Sequence, residues 1–323
     1  MNSALQTSVI IPTYNNANFV AEAIQSVLEQ THTAHEIIVV DDGSGDETQE
    51  ILARFRSRIR VAVHPRNLGL PSARNTGIRM ATGDLIGLLD ADDVWRPHMI
   101  ERQRQEFGTY DDLGLCYTSV IDCNAKLEPI AEPRNYRRRR RECVFEELYM
   151  SAFPMPPSTV FVRKEVLDHV GDFNESMLKK QDYECWLRIA MRYPVSCISE
   201  PLCLRRLHGT SLTASGAVGA SLYYESLCFD LCGEAAGRFG IELPMTVQAR
   251  KVLSQRRRLR EMLGWGDLGA AGVYRAALEA NGALRTSDRM LIPALSLRAR
   301  LFSAARPICR RLRSRMRSGS ESN

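Results

Sequence analysis

Four short apolar runs, separated by stretches with helical spacing, constrain the fold of this chain more than any other feature. The runs are residues 8–12 (SVIIP), 36–42 (EIIVVDD), 60–65 (RVAVHP) and 84–93 (DLIGLLDADD). Helices are predicted between them over residues 17–30, 47–56 and 71–81. Continuous apolar strands that alternate with helices are typical of a parallel sheet covered on both faces. The sequence therefore predicts an α/β fold with a doubly wound, mostly parallel sheet.

Polar residues follow each of the four predicted strands. They are Pro12–Asn16, Asp41–Ser44, His64–Gly69 and Asp90–Asp93. In doubly wound sheets, ligands bind beyond the carboxyl ends of the strands. We therefore expect these four segments to form a binding site at one edge of the sheet.

Three acids at the end of the fourth predicted strand are the strongest functional signal. Asp90, Asp92 and Asp93 would repel one another unless a positive charge lies among them. Carboxylate oxygens suit Mg²⁺ or Mn²⁺, so the cluster predicts a site for a divalent cation. The alternative is a solvated, acid-rich loop that caps the next helix.

The ends of the second and third predicted strands indicate a nucleotide. An acid in the place of Asp41 or Asp42 can accept hydrogen bonds from a nucleobase or a ribose. Ser44 and Asp46 could equally cap the helix that follows. After the third strand, a glycine turn leads into a helix that carries Arg74. Helix N-termini and arginine both favour anionic groups, so this segment predicts a phosphate contact.

Taken together, these motifs resemble those of the family 2 glycosyltransferases, which have the A-type nucleotide-sugar-binding fold. The similar segments are SVIIPTYNN, VVDDGSGDET, NLGLPSARNTG and LLDADD, in this order and spacing. Further similar segments are GDFNES (171–176), QDYECWLR (181–188) and RLH (206–208) with Ser211. The resemblance covers about residues 7–215, and the combination of motifs is far more specific than any one of them.

The resemblance implies a set of residues that bind a nucleoside-diphosphate sugar, with a UDP-sugar favoured. Pro12 and Tyr14 would line the base pocket with Asp42, and Asp90 would face the ribose. The full set that it implies is Pro12, Tyr14, Asp41, Asp42, Gly69, Arg74, Asp90, Ala91 and Arg206.

The resemblance also implies the metal ligands and the catalytic base. Asp92 would bind the Mn²⁺ or Mg²⁺ ion that bridges the diphosphate, and His208 would lie near the metal or the diphosphate. Asp182 would take a proton from the acceptor hydroxyl during a direct displacement with inversion. The acceptor would be a cell-surface glycan or a lipid-linked glycan.

Two positions depart from the pattern of the family. Gln181 stands where the family usually has glutamate, and Arg205 stands where it usually has tyrosine. Gln181 supports one alternative function, a catalytically weakened scaffold in a glycan-assembly complex. A sugar nucleotidyltransferase is the other alternative, but it would need a glycine-rich basic loop after the first strand, where this chain has Pro12–Asn16. Neither a dinucleotide-binding fingerprint nor a phosphate-binding loop with lysine is present there.

The rest of the chain divides into further sheet elements and a helical extension. Strands are predicted at 114–121, 158–162 and 195–204, and helices at 143–151, 164–169 and 181–192. A basic segment, inserted at residues 134–142 (RNYRRRRRE), separates two of them, and its five-arginine run 137–141 is interpreted as a solvated or mobile loop rather than a clamp for an acceptor phosphate. Residues from about 217 onward are helical and rich in arginine. We therefore predict a catalytic domain over residues 1–216 and an extension over residues 217–323.

The net charge of +5 is unevenly distributed. Residues 245–323 contain 17 Lys and Arg against 5 Asp and Glu. Within them, residues 298–317 have apolar side chains at helical spacing among arginines, which suits an anionic membrane surface. The alternative is a helix packed on the catalytic domain with solvated arginines. No nucleic acid partner is expected.

The nine cysteines and the first residues indicate a reducing compartment. No Cys-x-x-Cys pair is present, and the N-terminus lacks the basic start and apolar stretch of a signal peptide. No uncharged apolar run reaches the roughly 18 residues that a membrane span needs. We expect a cytoplasmic protein whose basic tail contacts the inner face of the membrane.

Overall fold

The computed structural model describes residues 5–134, 136–151, 153, 155–208 and 218–285. The chain forms two compact units. The first comprises residues 1–216 and 230–244, and the second comprises residues 217–229 and 245–323.

A nine-stranded mixed sheet forms the centre of the first unit, counted over the described residues. Its strands are β1 (Thr7–Thr13), β2 (Glu36–Asp41), β3 (Arg60–Val63), β4 (Leu85–Leu88), β5 (Val94–Trp95), β6 (Leu115–Cys123), β7 (Arg139–Glu142), β8 (Val160–Arg163) and β9 (Val195–Arg206). The order is β3-β2-β1-β4-β8-β6-β9-β5, and β7 pairs with β9. The pairs within β3-β2-β1-β4 are parallel, as is β6 with β9, whereas β8, β5 and β7 pair antiparallel. The predicted fold class is confirmed.

Seven helices of the described chain cover this sheet. They are α1 (Val20–Leu28), α2 (Thr48–Ala53), α3 (Leu70–Met80), α4 (Met99–Thr109), α5 (Phe145–Ser151), α6 (Lys164–Val170) and α7 (Gln181–Ala190). The close packing of α3 on β1 depends on Gly77, where a Cβ atom would lie 2.4 Å from Ile10 Cγ2. Because glycine has no side chain, α3 can pack directly on β1, beside the carboxyl ends of the parallel strands.

Three parts of the first unit differ from the predictions. The fourth strand ends at Leu88 rather than at residue 93, so the acids lie in the turn beyond it. Helix α4 was not predicted, because its buried face includes the polar residues Gln103 and Glu106. The prediction of a loop over residues 137–141 is wrong for residues 139–141, which belong to strand β7 on β9.

The arginines of the basic segment form ion pairs within the chain. Arg138 binds Glu106 at 2.5 Å, and Arg141 binds Asp112 at 2.5 Å. Buried Arg139 binds Glu147, also at 2.5 Å. Most of the predicted positive surface is therefore neutralised by carboxylates of the first unit.

The second unit has a small core of its own. It contains the first part of α8 (Val218–Phe239), with α9 (Val247–Trp265) and α10 (Leu268–Ala280). Thr246 caps α9, and Asp267 caps α10. Leucines of α9 pack against Tyr274 and Leu278 of α10. Residues 298–317, predicted as an amphipathic helix, lie outside the described residues.

No helix in the described ranges is long and apolar enough to cross a membrane. The eight cysteines that the structure describes form no disulfide, and seven of them are buried.

Candidate functional site

The three acids beyond β4 take three different environments. Asp93 is buried, and its carboxylate accepts hydrogen bonds from the Ser158 hydroxyl at 2.5 Å and from the backbone N–H of Arg206 at 2.9 Å. The Ser158 hydroxyl oxygen also accepts from the backbone N–H of Asp90 at 3.1 Å. Asp93 therefore fixes the acidic turn against the end of β9, while Asp90 and Asp92 remain partly exposed.

Asp92 and His208 are brought together across 116 residues of sequence. The distance from His208 Nε2 to Asp92 Oδ2 is 3.0 Å, and the side chains are 12% and 24% exposed. The ring of Phe19 packs on the His208 ring with centroids 5.0 Å apart. The Arg206 guanidinium lies 4.7 Å from the centroid of Phe19 and binds Glu22 of α1 at 2.5 Å. These contacts explain why His208 stays beside the acidic turn.

Negative charge is in excess at this turn. Burial raises the pKa of Asp92, and the charge of Asp90 raises it further, against a hydrogen bond from His208 that lowers it. Burial likewise raises the pKa of Asp93 well above its ordinary value, with added repulsion from Asp92 and Asp90. A cation bound here would relieve that repulsion.

The donor atoms fit a divalent cation that shares its coordination with a ligand. The carboxylate oxygen of Asp92 suits Mn²⁺ or Mg²⁺, and the imidazole nitrogen of His208 is a ligand of the kind that transition metals take. No group of three or more His, Cys, Asp or Glu side chains in the described residues could hold a metal by itself. Ions of this class are commonly held by one or two protein ligands together with substrate phosphates and water.

A buried guanidinium supports Asp90 from the side of α3. Arg74 is 1% exposed, and its Nη2 lies 2.6 Å from Asp90 Oδ1. Its Nε and Nη1 are buried without a hydrogen-bond partner in the described chain. The guanidinium also lies 5.4 Å from the ring centroid of Phe173. The contact that the sequence predicted between Arg74 and a phosphate stays a prediction, since the structure places this side chain behind Asp90.

The acids that end β2 hold two turns in place. Asp41 is fully buried and accepts from the backbone N–H of Ser44 at 3.0 Å and from Gln49 Nε2 at 2.8 Å. Asp42 accepts from the backbone N–H groups of Leu68 and Gly69 at 2.9 and 2.8 Å. These bonds fix the loops at residues 41–44 and 64–69.

A histidine completes the bonding of Asp42. The distance from His64 Nδ1 to Asp42 Oδ1 is 2.6 Å, and Nε2 lies 3.0 Å from the Thr76 hydroxyl. Because a carboxylate only accepts, Nδ1 must carry a proton. Asp42 is thus hydrogen-bonded to the loop at residues 64–69 and is linked through His64 to helix α3.

The loop after β1 is hydrogen-bonded to the loop after β2. Pro12 is buried, and Tyr14 is 44% exposed. Asn15 donates its backbone N–H to Ser44 Oγ at 2.9 Å, and its side-chain oxygen accepts from the backbone N–H of Gly45 at 2.8 Å. The exposed ring of Tyr14 therefore stands on a loop that is hydrogen-bonded to the next one.

Gly69 and Ala91 are the remaining predicted donor contacts. Gly69 precedes α3 with a φ of 98°, a conformation that favours glycine. Ala91 is buried within the acidic turn between Asp90 and Asp92. Both are thus positions where the backbone, rather than a side chain, faces the predicted site.

Asp182 stands in the first turn of α7, partly exposed. Helix α7 is anchored by Arg188 and by Trp186, whose Nε1 donates to the Met155 carbonyl at 3.1 Å. Trp186 packs on Phe173 with ring centroids 5.8 Å apart. No hydrogen bond or ion pair within the described residues joins Asp182 to the acidic turn.

The turn at residues 171–175 connects α7 to α3. Asn75 donates its side-chain amide to the Phe173 carbonyl at 2.8 Å and accepts the Phe173 N–H at 3.0 Å. Glu175 accepts from Ser72 at 2.7 Å and from Asn75 at 2.9 Å. The segments predicted to hold the base and the nucleotide are therefore bonded to the same turn.

Gln181 and Arg205, the two departures from the family pattern, lie in surroundings that the sequence did not predict. Gln181 is buried, 7% exposed. Arg205 binds Asp122 of β6 at 2.7 Å. Glu22 and Ser158 were also missed, because each acts through a partner distant in sequence and lies in no recognisable motif.

Comparisons with known proteins identify the family of the chain. The model of glycosyl transferase family 2 matches residues 8–171. A protein of Nostoc sp., named as an uncharacterized glycosyltransferase, is 31% identical over 224 residues, which are 67% of this chain and 69% of that one. Chondroitin synthase of Escherichia coli is 30% identical over 205 residues, 62% of this chain and 29% of its own length.

Solved structures share the fold. Staphylococcus aureus TarS in complex with UDP-GlcNAc has a TM-score of 0.63 at 16% identity, over 91% of this chain and 89% of that one. The mannosyltransferase PcManGT of Pyrobaculum calidifontis, in complex with GDP-Man and Mn²⁺, has a TM-score of 0.52 at 20% identity, over 93% and 87% of the two chains. At these identities the likeness concerns the fold alone.

Proposed function

The chain belongs to glycosyl transferase family 2 and is a glycosyltransferase, and from that premise we propose a metal-dependent, inverting transfer from a nucleoside-diphosphate sugar to a glycan or lipid-linked acceptor. The observation that supports this most is the pairing of Asp92 with His208, 3.0 Å apart, beside Asp90. These side chains come from the ends of β4 and β9, where an open α/β sheet binds its ligands. The proposed catalytic domain is residues 1–216, and the proposed extension is residues 217–323, of which residues 230–244 belong to the first compact unit.

The donor nucleotide is proposed to lie against the three loops that follow β1, β2 and β3. Tyr14 offers an exposed aromatic ring for the base, and buried Pro12 lies two residues before it, at the end of β1. Asp41 and Asp42 act as positioning residues, because their oxygens already hold the loop backbones. Asp42 fixes Gly69, and so the start of α3, whose free N–H groups favour a diphosphate. Among solved structures that share the fold, Staphylococcus aureus TarS is seen in complex with UDP and with UDP-GlcNAc, and PcManGT is seen in complex with GDP-Man and Mn²⁺.

The ribose and the diphosphate are proposed to meet the acidic turn. Arg74 holds one oxygen of Asp90, which orients the carboxylate toward a donor hydroxyl. Asp92 and His208 would hold Mn²⁺ or Mg²⁺, which supplies positive charge for the diphosphate oxygens. Arg206 is buried, so it positions His208 through Phe19 rather than contacting the sugar directly.

Asp182 is proposed to take the proton of the attacking acceptor hydroxyl at its carboxylate. The acceptor oxygen forms its bond to the anomeric carbon as the bond to the nucleoside diphosphate breaks, which inverts that carbon. Proton transfer of this kind contributes roughly 10²–10⁴-fold to the rate. The partly exposed carboxylate lies on a helix held by Arg188 and Trp186, so its position is fixed before the acceptor arrives.

A scaffold function has no support beyond Gln181. That residue is buried, so the missing glutamate charge would have stood in the interior of the protein rather than at the acceptor. The neighbouring Asp182 retains the carboxylate that the chemistry requires.

The test is release of nucleoside diphosphate from a panel of UDP-, GDP- and TDP-sugars by the wild-type chain, with and without Mn²⁺. Slow transfer to water is expected for one donor class and only with the metal. No release from any donor, with or without acceptor extracts, would contradict the proposed activity.

Contact of the basic tail with an anionic membrane is a separate part of the proposal. The excess of arginine in residues 245–323 supports it. Cosedimentation with anionic and neutral vesicles, comparing the full chain with one truncated after residue 297, tests it. Equal and salt-insensitive binding by both chains would assign the tail to packing instead.

A further inference from the structure

The carboxylate of Asp122, near the end of β6, is shared by two arginines. Asp122 is 4% exposed at its side chain. Arg134 Nη2 lies 2.6 Å from its Oδ2, and Arg205 Nη2 lies 2.7 Å from its Oδ1. Arg205 is directly opposite Asp122 in the parallel register of β6 and β9. We call these three residues the Asp122 cluster.

The Asp122 cluster has a surplus positive charge. One guanidinium neutralises a buried carboxylate, so the second leaves a net charge of one. The nearest exposed acid in sequence, Glu132, forms no ion pair with either arginine in the described chain. The side chains of Arg134 and Arg205 are 46% and 24% exposed, so this charge faces solvent.

The cluster differs in this respect from the neighbouring arginines. Arg137, Arg138, Arg139 and Arg141 each bind a carboxylate of their own, which leaves them without surplus charge. The positive charge of the basic segment is therefore concentrated at Arg134 and at exposed Arg140. Of these two, Arg134 shares its carboxylate partner with Arg205.

An unsatisfied hydroxyl lies next to the cluster. Tyr136 packs its ring on Tyr117 and is held by a backbone N–H bond to Ser119 Oγ at 2.8 Å. Its hydroxyl is buried without a hydrogen-bond partner in the described residues. Burial raises the pKa of the Tyr136 hydroxyl, and the positive charges of Arg134 and Arg205 act against that rise. Tyr136 therefore packs the segment that carries Arg134 against β6.

The cluster is close to the proposed reaction centre. Arg205 precedes Arg206, whose backbone binds Asp93, and stands three residues before His208. Three residues of extended chain span at most about 11 Å. The backbone that carries Arg205 therefore lies at the same carboxyl edge of the sheet as the proposed donor site.

We propose that Arg134 and Arg205 bind an anionic group of the acceptor, a phosphate or a carboxylate. The inference rests on the proposed function and narrows the acceptor to a charged glycan. Guanidinium groups pair with both kinds of anion through two parallel N–H bonds, so they recognise the shared chemistry. Arg205 stands where the sequence departs from the family pattern, and it supplies one of the two guanidinium groups of the Asp122 cluster.

Saturation-transfer NMR with glucose 6-phosphate, glucuronate and glucose tests the proposal. A nucleoside diphosphate with Mg²⁺ is present throughout, so that the donor site is occupied. Wild type is compared with Arg134→Ala, and with Arg140→Ala as the matched control from the same segment. We expect binding of one charged sugar over glucose, about tenfold weaker in Arg134→Ala and unchanged in Arg140→Ala, as loss of one charge-assisted bond predicts.

Arg134→Lys provides a second variant that keeps the positive charge. It should bind the charged sugar more weakly than wild type does and more strongly than Arg134→Ala does. The charged sugar that binds more strongly identifies the group as phosphate or carboxylate. Equal binding of all three sugars, or equal binding by wild type and Arg134→Ala, would overturn the inference. Binding of the nucleoside diphosphate is measured in the same samples, so that the inference and the proposed function can fail separately. If wild type does not bind the nucleoside diphosphate, the proposed function itself is contradicted.

Discussion

Replacing Arg188 by alanine tests whether one buried guanidinium holds helix α7 in place. Nε and Nη2 of Arg188 lie 2.7 and 2.9 Å from the two oxygens of Glu184. The other N–H groups donate to the carbonyl oxygens of Val170, Gly171 and Asp172 at 2.8, 2.6 and 2.7 Å. All five donors of the guanidinium are therefore used.

The expected loss follows from what the substitution leaves behind. Glu184 is 3% exposed, so Arg188→Ala would strand a buried carboxylate without its partner. Breaking a buried pair from one side costs about 3–5 kcal/mol. We expect the free energy of unfolding of the first unit to fall by that amount.

Urea denaturation followed by tryptophan fluorescence measures the effect, because Trp186 lies on the same helix. Arg275→Ala is the matched control, since Arg275 and Glu279 form an exposed pair at the same spacing in α10. Exposed pairs of this kind are worth a few tenths of a kcal/mol. The double variant Glu184→Gln/Arg188→Met removes both charges and should regain part of the loss. A loss in Arg188→Ala no larger than that of Arg275→Ala would refute the reasoning.

Three further predictions concern the base, the packing of α3 and the dependence of stability on pH. Asp182→Asn should retain donor affinity but lose roughly 10²–10⁴-fold in turnover, measured as release of nucleoside diphosphate, because an amide cannot accept the proton. Wild-type turnover in this variant would exclude Asp182 as the base. Gly77→Ala should cost about 1–3 kcal/mol in urea denaturation, because its Cβ would meet Ile10 at 2.4 Å, whereas Gly108→Ala, which meets nothing within 4 Å, should not destabilise α4. Equal stability of the two glycine variants would contradict the close packing of α3. Burial would raise the pKa of Glu36, but hydrogen bonds from its neighbours lower it from 4.5 to about 2. Because the pKa is lower in the folded state, this stabilisation is present above about pH 4.5 and is lost toward pH 2, and Glu36→Gln should flatten the stability profile in that window.

The parallel half of the sheet could be predicted from the sequence because its strands are short, continuous and apolar. The runs at residues 8–12, 36–42 and 60–65 correspond to β1, β2 and β3 within a few residues. Helix α4 was missed because the polar side chains of Gln103 and Glu106 lie on its buried face, where they break the apolar spacing. The spacing of apolar residues predicts the buried face of a helix only where the buried residues are apolar.

The site was predictable only as far as motifs mark it. Asp90 and Asp92 stand out locally, whereas the approach of His208 was known from the resemblance alone. The pairs Glu22 with Arg206 and Asp122 with Arg205 join polar residues that are far apart in sequence. Such pairs have no local signal, because either partner alone is indistinguishable from a solvated surface charge. The same holds for Asp41 and Asp42, whose oxygens bind backbone N–H groups that no motif specifies.

Calorimetry of nucleoside diphosphate binding, with and without Mn²⁺, tests the central claim most directly. It compares wild type with Asp92→Ala and with Asp111→Ala, an exposed acid outside the acidic turn. We predict that Mn²⁺ strengthens binding by wild type and by Asp111→Ala, and that Asp92→Ala loses this dependence. Mn²⁺-dependent binding that is unchanged in Asp92→Ala would contradict the assignment of Asp92 and His208 as the metal site.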